Sequence, residues 1–270
     1  MNPWFETLGV ILLSLAGVWL GRWFSRLPKS YWTLGYFIPL VLMLMMGSTR
    51  YCSVLEFIPP ISWLVAGRTE FALAGFVCTM ILTTPLSRVP RRAFRLLVIS
   101  FMVLLTLPFS IWPFLAPVLN RDHLASLKTY MDRDDICRQN NNYTCGPAAA
   151  VTALRRLGLP AEEGQIAITA HTSMAIGTPP DLLCEALQHL YSGNNLRFEY
   201  RHFKTVSELK HGGLTLAVIK YGPLVDHWVA VLEVTDREVV VGDPLKGKAP
   251  YTHEQFRMIW RFTGIELKRE

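Results

Sequence analysis

Apolar residues fill the first 120 positions in long unbroken runs, whereas the remaining 150 alternate apolar and polar residues with helix or strand periods. Four of the runs carry no charge: Thr7–Gly21, Ser30–Thr49, Phe71–Ser87 and Leu96–Asn120. A helix crosses a bilayer with roughly 17–25 predominantly apolar residues. The shortest run is extended by Trp4, Phe5, Trp23 and Phe24, which suit the headgroup layer, and Arg22 can snorkel. With no basic start and no small-residue cleavage site after Leu20, it is expected to be an uncleaved anchor. The pattern predicts an α-helical membrane domain over residues 1–120, with about four transmembrane helices. Pro108, Pro113 and Pro117 predict a kink or an interfacial exit in the last one. Tyr51–Gly67 is cut by Glu56 and Pro59-Pro60 and is expected to form an interfacial or re-entrant loop; a fifth span there would invert the topology.

From residue 121 to 270 the pattern predicts a separate α+β domain. A polar connector leads to a helix from Cys145 to about Leu157, with Pro147 in its first turn and Gly158 as the stop. Shorter helices are expected over Ala161–Ala170 and from Thr178-Pro179-Pro180-Asp181 to Tyr191. Strands are expected at Leu196–Phe203, Leu214–Ile219, His227–Val234 and Glu238–Val241, with a turn at Asp236-Arg237.

Charge sharpens this division. Of 27 basic and 21 acidic residues, the first 120 positions hold nine and three, so the net +6 belongs to the front half and the back half is neutral. With 51% hydrophobic residues and a mean hydropathy of +0.26, disorder, collagen-like repeats and a simple soluble enzyme are excluded. A nucleic-acid partner is not expected, because no soluble surface carries the basic excess. Arg22, Arg26 and Lys29 follow the first run, and Arg88, Arg91, Arg92 and Arg95 follow the third. The positive-inside rule puts both loops in the cytoplasm and the back half on the opposite side. The arginines at 88–95 also suit anionic headgroups of the lipid bilayer.

Three short segments carry chemistry. In Gln139-Asn-Asn-Asn-Tyr-Thr-Cys145-Gly146-Pro147-Ala148, the cysteine opens a helix, where the macrodipole and unsatisfied N–H groups stabilise negative charge on sulfur. Its own N–H and the Gln139 amide form a candidate oxyanion hole, although Asn140–Asn142 could supply the second donor instead. His227-Trp228-Val229-Ala230-Val231 opens one strand, and Gly242-Asp243-Pro244 ends the next. Nine positions separate His227 from Asp236 and seven separate Asp236 from Asp243, so a hairpin brings both to one end. Nucleophile, base and orienter then follow the logic of a catalytic triad. Trp228 is expected to shield the His–Asp pair from water.

These segments, with their order and intervals, resemble the C39-type peptidases, papain-like cysteine proteases known as leader-cleaving domains of bacteriocin exporters. The resemblance covers roughly Ile136–Thr263. It implies a papain-like fold, with Cys145 as nucleophile, His227 as general base and acid, Asp243 as orienter and Gln139 as oxyanion donor, and no cofactor. It implies a cysteine-type endopeptidase; with the front half anchoring it in a bacterial cell membrane, a membrane-associated or exported peptide or protein is the expected substrate. Two departures weaken double-glycine leaders as a guide to substrate. Thr144 stands where exporter members commonly have Asp, and the peptidase follows the membrane segment instead of preceding a transporter and ATPase. Two other functions fit the same residues: a non-catalytic peptide-binding module, and acyl transfer to an amine in place of water.

Cys52 and Cys78 fall in the apolar region, whereas Cys137 and Cys184 form a candidate disulfide. His123, His171, His189, His202, His211 and His253 show no metal-ligand spacing. Glu162-Glu163 and Asp134-Asp135 are expected to be solvated.

Overall fold

The first apolar run forms one helix, α1 (Pro3–Arg26), in a computed structural model that describes residues 3–211, 213–222 and 225–269. The chain divides into two units, Met1–Val118 and Leu119–Glu270. In the first unit α1 is followed by α2 (Lys29–Trp32), α3 (Leu34–Tyr51), α4 (Ile61–Val65), α5 (Thr69–Thr83), α6 (Arg92–Thr106) and α7 (Trp112–Leu119).

Among the described residues three helical stretches are long and apolar enough to cross a membrane: Trp4–Arg26, Thr69–Arg88 and Arg92–Leu119. The expected second span is α3, which has only 18 residues and ends on the polar sequence Ser48-Thr49-Arg50. By length and composition three described stretches qualify, against about four expected. Tyr51–Gly67 breaks into a tight turn (Ser53–Phe57) and α4, as its prolines and Glu56 predict. The prolines of the last run do not end it. Leu107–Ile111 widens into a π turn, because Pro108 has no N–H and its ring crowds the carbonyl four residues back. Pro113 follows directly after the π turn, within the same continuous helical stretch.

Polar groups inside this unit are paired across helices. The Arg68 guanidinium is buried, donating to Glu6 at 2.7 Å and to the Pro113 carbonyl at 3.3 Å, and it lies 5.1 Å from the Phe114 ring centre. Thr79 Oγ1 donates to the Ser14 carbonyl at 2.9 Å, tying α5 to α1.

The second unit runs α8 (Arg121–Ala125), β1 (Tyr130–Met131), β2 (Cys137–Arg138), α9 (Cys145–Arg156), α10 (Glu163–Thr169), α11 (Pro180–Tyr191) and β3 (Leu196–His202). It continues with α12 (Glu208–His211), β4 (Leu214–Gly222), β5 (Val225–Val234), β6 (Glu238–Asp243), β7 (Gly247–Thr252), α13 (His253–Ile259) and β8 (Trp260–Arg269). Helix α9 is buried from Cys145 through Leu154, as a central helix must be, and its chain turns at Gly158 with φ +79°.

Six antiparallel strands form one sheet in the order β3-β8-β4-β5-β6-β7. One core holds residues of α9, α11 and one sheet face, among them Val151, Leu154, Leu183, Leu187, Leu216, Trp228 and Ile265. The other face packs Ala217, Val229, Val231, Val239 and Val241 on Phe203, Phe256 and Trp260. Two of the six strands, β7 and β8, lie outside the strands expected from the sequence. Strand β8 matters most, because it joins β3 to β4.

Candidate active site

Cys145 is the first residue of α9 and is 7% exposed. Thr144 precedes it without a side-chain cap, so the first N–H groups of α9 stay uncovered by a capping side chain. The Thr144 hydroxyl instead turns back on its own loop, accepting from the Asn141 N–H at 3.2 Å and donating to the Asn141 carbonyl at 3.1 Å.

His227 lies near the start of β5 and Asp243 at the end of β6. Both are buried, and His227 Nε2 donates to Asp243 Oδ1 at 2.7 Å. The same oxygen accepts the backbone N–H groups of Leu245 at 2.8 Å and Lys246 at 3.4 Å, so the carboxylate also closes the turn after β6. The Cys145 sulfur neighbours the His227 ring closely enough to help raise its pKa. With Nε2 committed to Asp243, the nitrogen left for sulfur is Nδ1.

Electrostatics follow from these contacts. Burial pulls the His227 ring towards neutrality, but the hydrogen bond to Asp243, the neighbouring Cys145 sulfur and the Asp243 charge outweigh it, lifting the pKa to about 9. Burial opposes the charge on Asp243; the bond from His227 and the two turn N–H groups overcome it and hold the carboxyl below its usual range.

Gln139 is tied to the same corner through its backbone, whose N–H donates to the Pro244 carbonyl at 3.2 Å. Its Nε2 donates to the Asn141 carbonyl at 2.7 Å, which leaves one amide hydrogen. Of the competing asparagines, Asn140 is engaged: its backbone N–H and Nδ2 reach Glu163 at 3.1 and 2.6 Å. The Asn141 amide lies 3.3 Å from His123 Nε2, and Asn142 is exposed. The structure thus pairs His227 with Asp243, sets the Cys145 sulfur beside the same ring, and fastens the Gln139 backbone to the residue after Asp243.

Three sequence expectations are corrected. Trp228 does not cover the His–Asp pair. One residue along the strand from His227, it faces the opposite side of the sheet, where Nε1 donates to the Thr178 carbonyl at 3.1 Å and the ring packs behind Gly146. The ring beside His227 is that of Tyr221, with centroids 5.5 Å apart. Cys137 and Cys184 are free thiols, like the other three cysteines. Cys137 is fully enclosed, and burial with the nearby Glu163 charge pushes its thiol up to about 12.

Glu163 is the third correction and the residue that sequence reasoning missed: it is 0% exposed. Burial raises its carboxyl above the usual range, against the hydrogen bonds from Thr144 and Asn140. Its position carried a signal. Glu163 shares the helical face of Ile166, Ala167 and Ala170, all fully buried, at the i, i+3, i+4, i+7 spacing of a core stripe.

The sequence profile of the Peptidase C39 family matches residues 133–270, just over half of the chain. An uncharacterised protein of Methanothermobacter marburgensis is 30% identical over 144 residues, covering 53% of this chain and 95% of that protein. A second uncharacterised protein, from Methanothermobacter thermautotrophicus, is 28% identical over 141 residues, covering 52% and 92%. Among solved structures, a double glycine motif protease from an AMS/PCAT transporter, in complex with the leader peptide, aligns at 14% identity with a TM-score of 0.43. That alignment covers 54% of this chain and 96% of that one. The profile match over more than half of the chain carries the assignment: the chain belongs to the peptidase C39 family.

Proposed function

We propose that this protein is a membrane-anchored cysteine endopeptidase, with Cys145 as nucleophile, His227 as base and acid, Asp243 as orienter and Gln139 as oxyanion donor. The observation that carries the reading is the buried Asp243–His227 hydrogen bond, with the His227 ring under the influence of Cys145 at an uncapped helix start. Cys145 gives its proton to His227 Nδ1, and the sulfur attacks the carbonyl carbon of the scissile peptide. The oxyanion is met by the Cys145 N–H and the remaining Gln139 amide hydrogen. As the C–N bond breaks, His227 protonates the leaving amine; it then takes a proton from water, which hydrolyses the thioester and restores the thiol.

The substrate is a membrane-associated or exported peptide or protein. Long apolar helices on the same chain confine enzyme and substrate to one surface and raise their effective concentration. Positive loops after the first and third apolar runs favour a cell-membrane topology with the peptidase outside the cytoplasm.

The test compares cells carrying the wild-type protein with cells carrying Cys145→Ala, mapping new N-termini in membrane and secreted fractions. N-termini that need Cys145 support the reading. Processing that persists in Cys145→Ala overturns the mechanism, and a ligated amine product in place of a free carboxyl end assigns acyl transfer.

A further inference from the structure

The loop that carries Gln139 is held from outside the region that defines the family. Family similarity begins at residue 133. The segment before it, immediately after the last apolar helix ending at Leu119, reaches that loop at three successive points. Asn120, 8% exposed, donates from Nδ2 to the Tyr143 hydroxyl at 2.9 Å. His123 Nε2 lies 3.3 Å from Asn141 Nδ2. The Lys128 carbonyl accepts from Asn140 Nδ2 at 2.9 Å.

The segment is itself anchored. Leu124 is 1% exposed, and α10 presents Gly164 to it, where a Cβ would stand 2.5 Å from the Leu124 carbonyl oxygen. Thr129 Oγ1 accepts the Glu163 N–H at 2.9 Å. The three contacts hold the side chains of Asn140, Asn141 and Tyr143, which flank the Asn141 carbonyl, the acceptor that orients Gln139 Nε2.

We propose that the juxtamembrane segment Asn120–Thr129 is a brace for the oxyanion side of the active site, with Asn120 as a positioning residue acting through Tyr143. The proposal rests on the peptidase reading given above. Its chemical consequence is selective. Attack on a carbonyl builds negative charge on oxygen and needs the Gln139 donor, whereas displacement of iodide from iodoacetamide by the same sulfur builds no oxyanion. Loosening the brace therefore slows acylation and spares alkylation.

The experiment uses the full chain in detergent micelles and reads two rates at Cys145. One is acylation by p-nitrophenyl acetate, in which the sulfur–carbonyl bond forms and nitrophenolate leaves. The other is alkylation by iodoacetamide, in which the sulfur–carbon bond forms and iodide leaves. Asn120→Ala and Tyr143→Phe are each expected to slow acylation about tenfold, a fraction of the loss for removing an oxyanion donor outright. Alkylation stays within twofold of wild type, and the double variant is no slower than either single one. Asn120→Asp restores the rate, because the Tyr143 hydroxyl can donate to a carboxylate.

Acylation unchanged in both single variants overturns the brace, as does a parallel fall of both rates. Failure of the underlying reading is seen separately: wild-type alkylation at Cys145 that does not depend on His227 sinks the peptidase assignment, whatever the brace variants do.

Discussion

His227 and Asp243 share one face of the sheet because β5 carries one extra residue. The pairs Val234–Val239 and Glu233–Val240 run in one register and Val231–Val241 and Ala230–Gly242 in another, with Leu232 as the bulge between them. Val231 and Val234, three apart, consequently both face the second core. Continuing the second register by one residue sets Asp243 opposite Val229, on the side of His227. Without the bulge Asp243 would align with Ala230 and point to the opposite face. The His–Asp contact is then a diagonal one, two residues off directly opposite, within reach of these two side chains at 2.7 Å.

If His227 is the acid of the proposed mechanism, hydrolysis of an amide substrate should lose rate as pH rises through about 9, where the ring gives up the proton meant for the leaving amine. Iodoacetamide, whose leaving group needs no proton, should show no such decline. Asp243→Asn removes the carboxylate that raises His227, so it should shift the alkaline limb to lower pH and cut kcat/KM on the order of 10²-fold. The stability consequence has the same sign. A His pKa lifted from roughly 6.5 contributes fully below that value, and the contribution is lost as pH rises through about 9. The depressed Asp243 pKa is the same interaction seen from its partner, present at neutral pH and lost as pH falls through its folded value. A pH series of melting temperatures, wild type against Asp243→Asn, checks both limbs.

Gln139→Ala should lower the acylation rate roughly 10²–10³-fold, the usual loss for one oxyanion donor, with iodoacetamide labelling of Cys145 retained. If acylation and labelling fall together, the residue holds the sulfur and not the oxyanion.

Glu163→Ala leaves the Asn140 backbone N–H without its 3.1 Å acceptor and empties a site that is 0% exposed. A hydrogen bond of this kind contributes about 0.5–1.5 kcal/mol, and its loss is read as a lower denaturation midpoint for the peptidase unit. Glu163→Gln keeps one acceptor oxygen and should fall between the two.

In the helical unit, Arg68→Ala strands Glu6, whose partner at 2.7 Å is the buried guanidinium. Breaking a buried pair from one side costs roughly 3–5 kcal/mol, so thermal unfolding in detergent should shift down clearly. Replacing both partners with apolar residues should recover most of that loss.

Much was legible without coordinates. The apolar runs predicted the long helices, Pro147 and Gly158 bounded α9 correctly, and β3–β6 lie where their alternation indicated. What misled were polar residues whose partners are distant. A break at Thr33 shortens α3, a π turn absorbs Pro108, and Glu163 is buried although its neighbour Glu162 is exposed. Strand β8 alternates only over Ile265-Glu266-Leu267-Lys268, and its Glu266 is buried against Arg201 and Lys268, which hides the period.

Local order along the chain determined which groups could do chemistry: a thiol at a helix start, an imidazole opening a strand, a carboxylate closing the next. Those placements depend on propensity, capping and periodicity, which act over a few residues and are written in the sequence. Tertiary structure alone decided which of them meet. The bulge at Leu232, the burial of Glu163 behind Asn140 and the grip of Asn120 on Tyr143 each depend on packing between segments far apart in sequence. Side-chain parity and desolvation are set by neighbours, and the identity of a distant neighbour is not encoded in any local pattern.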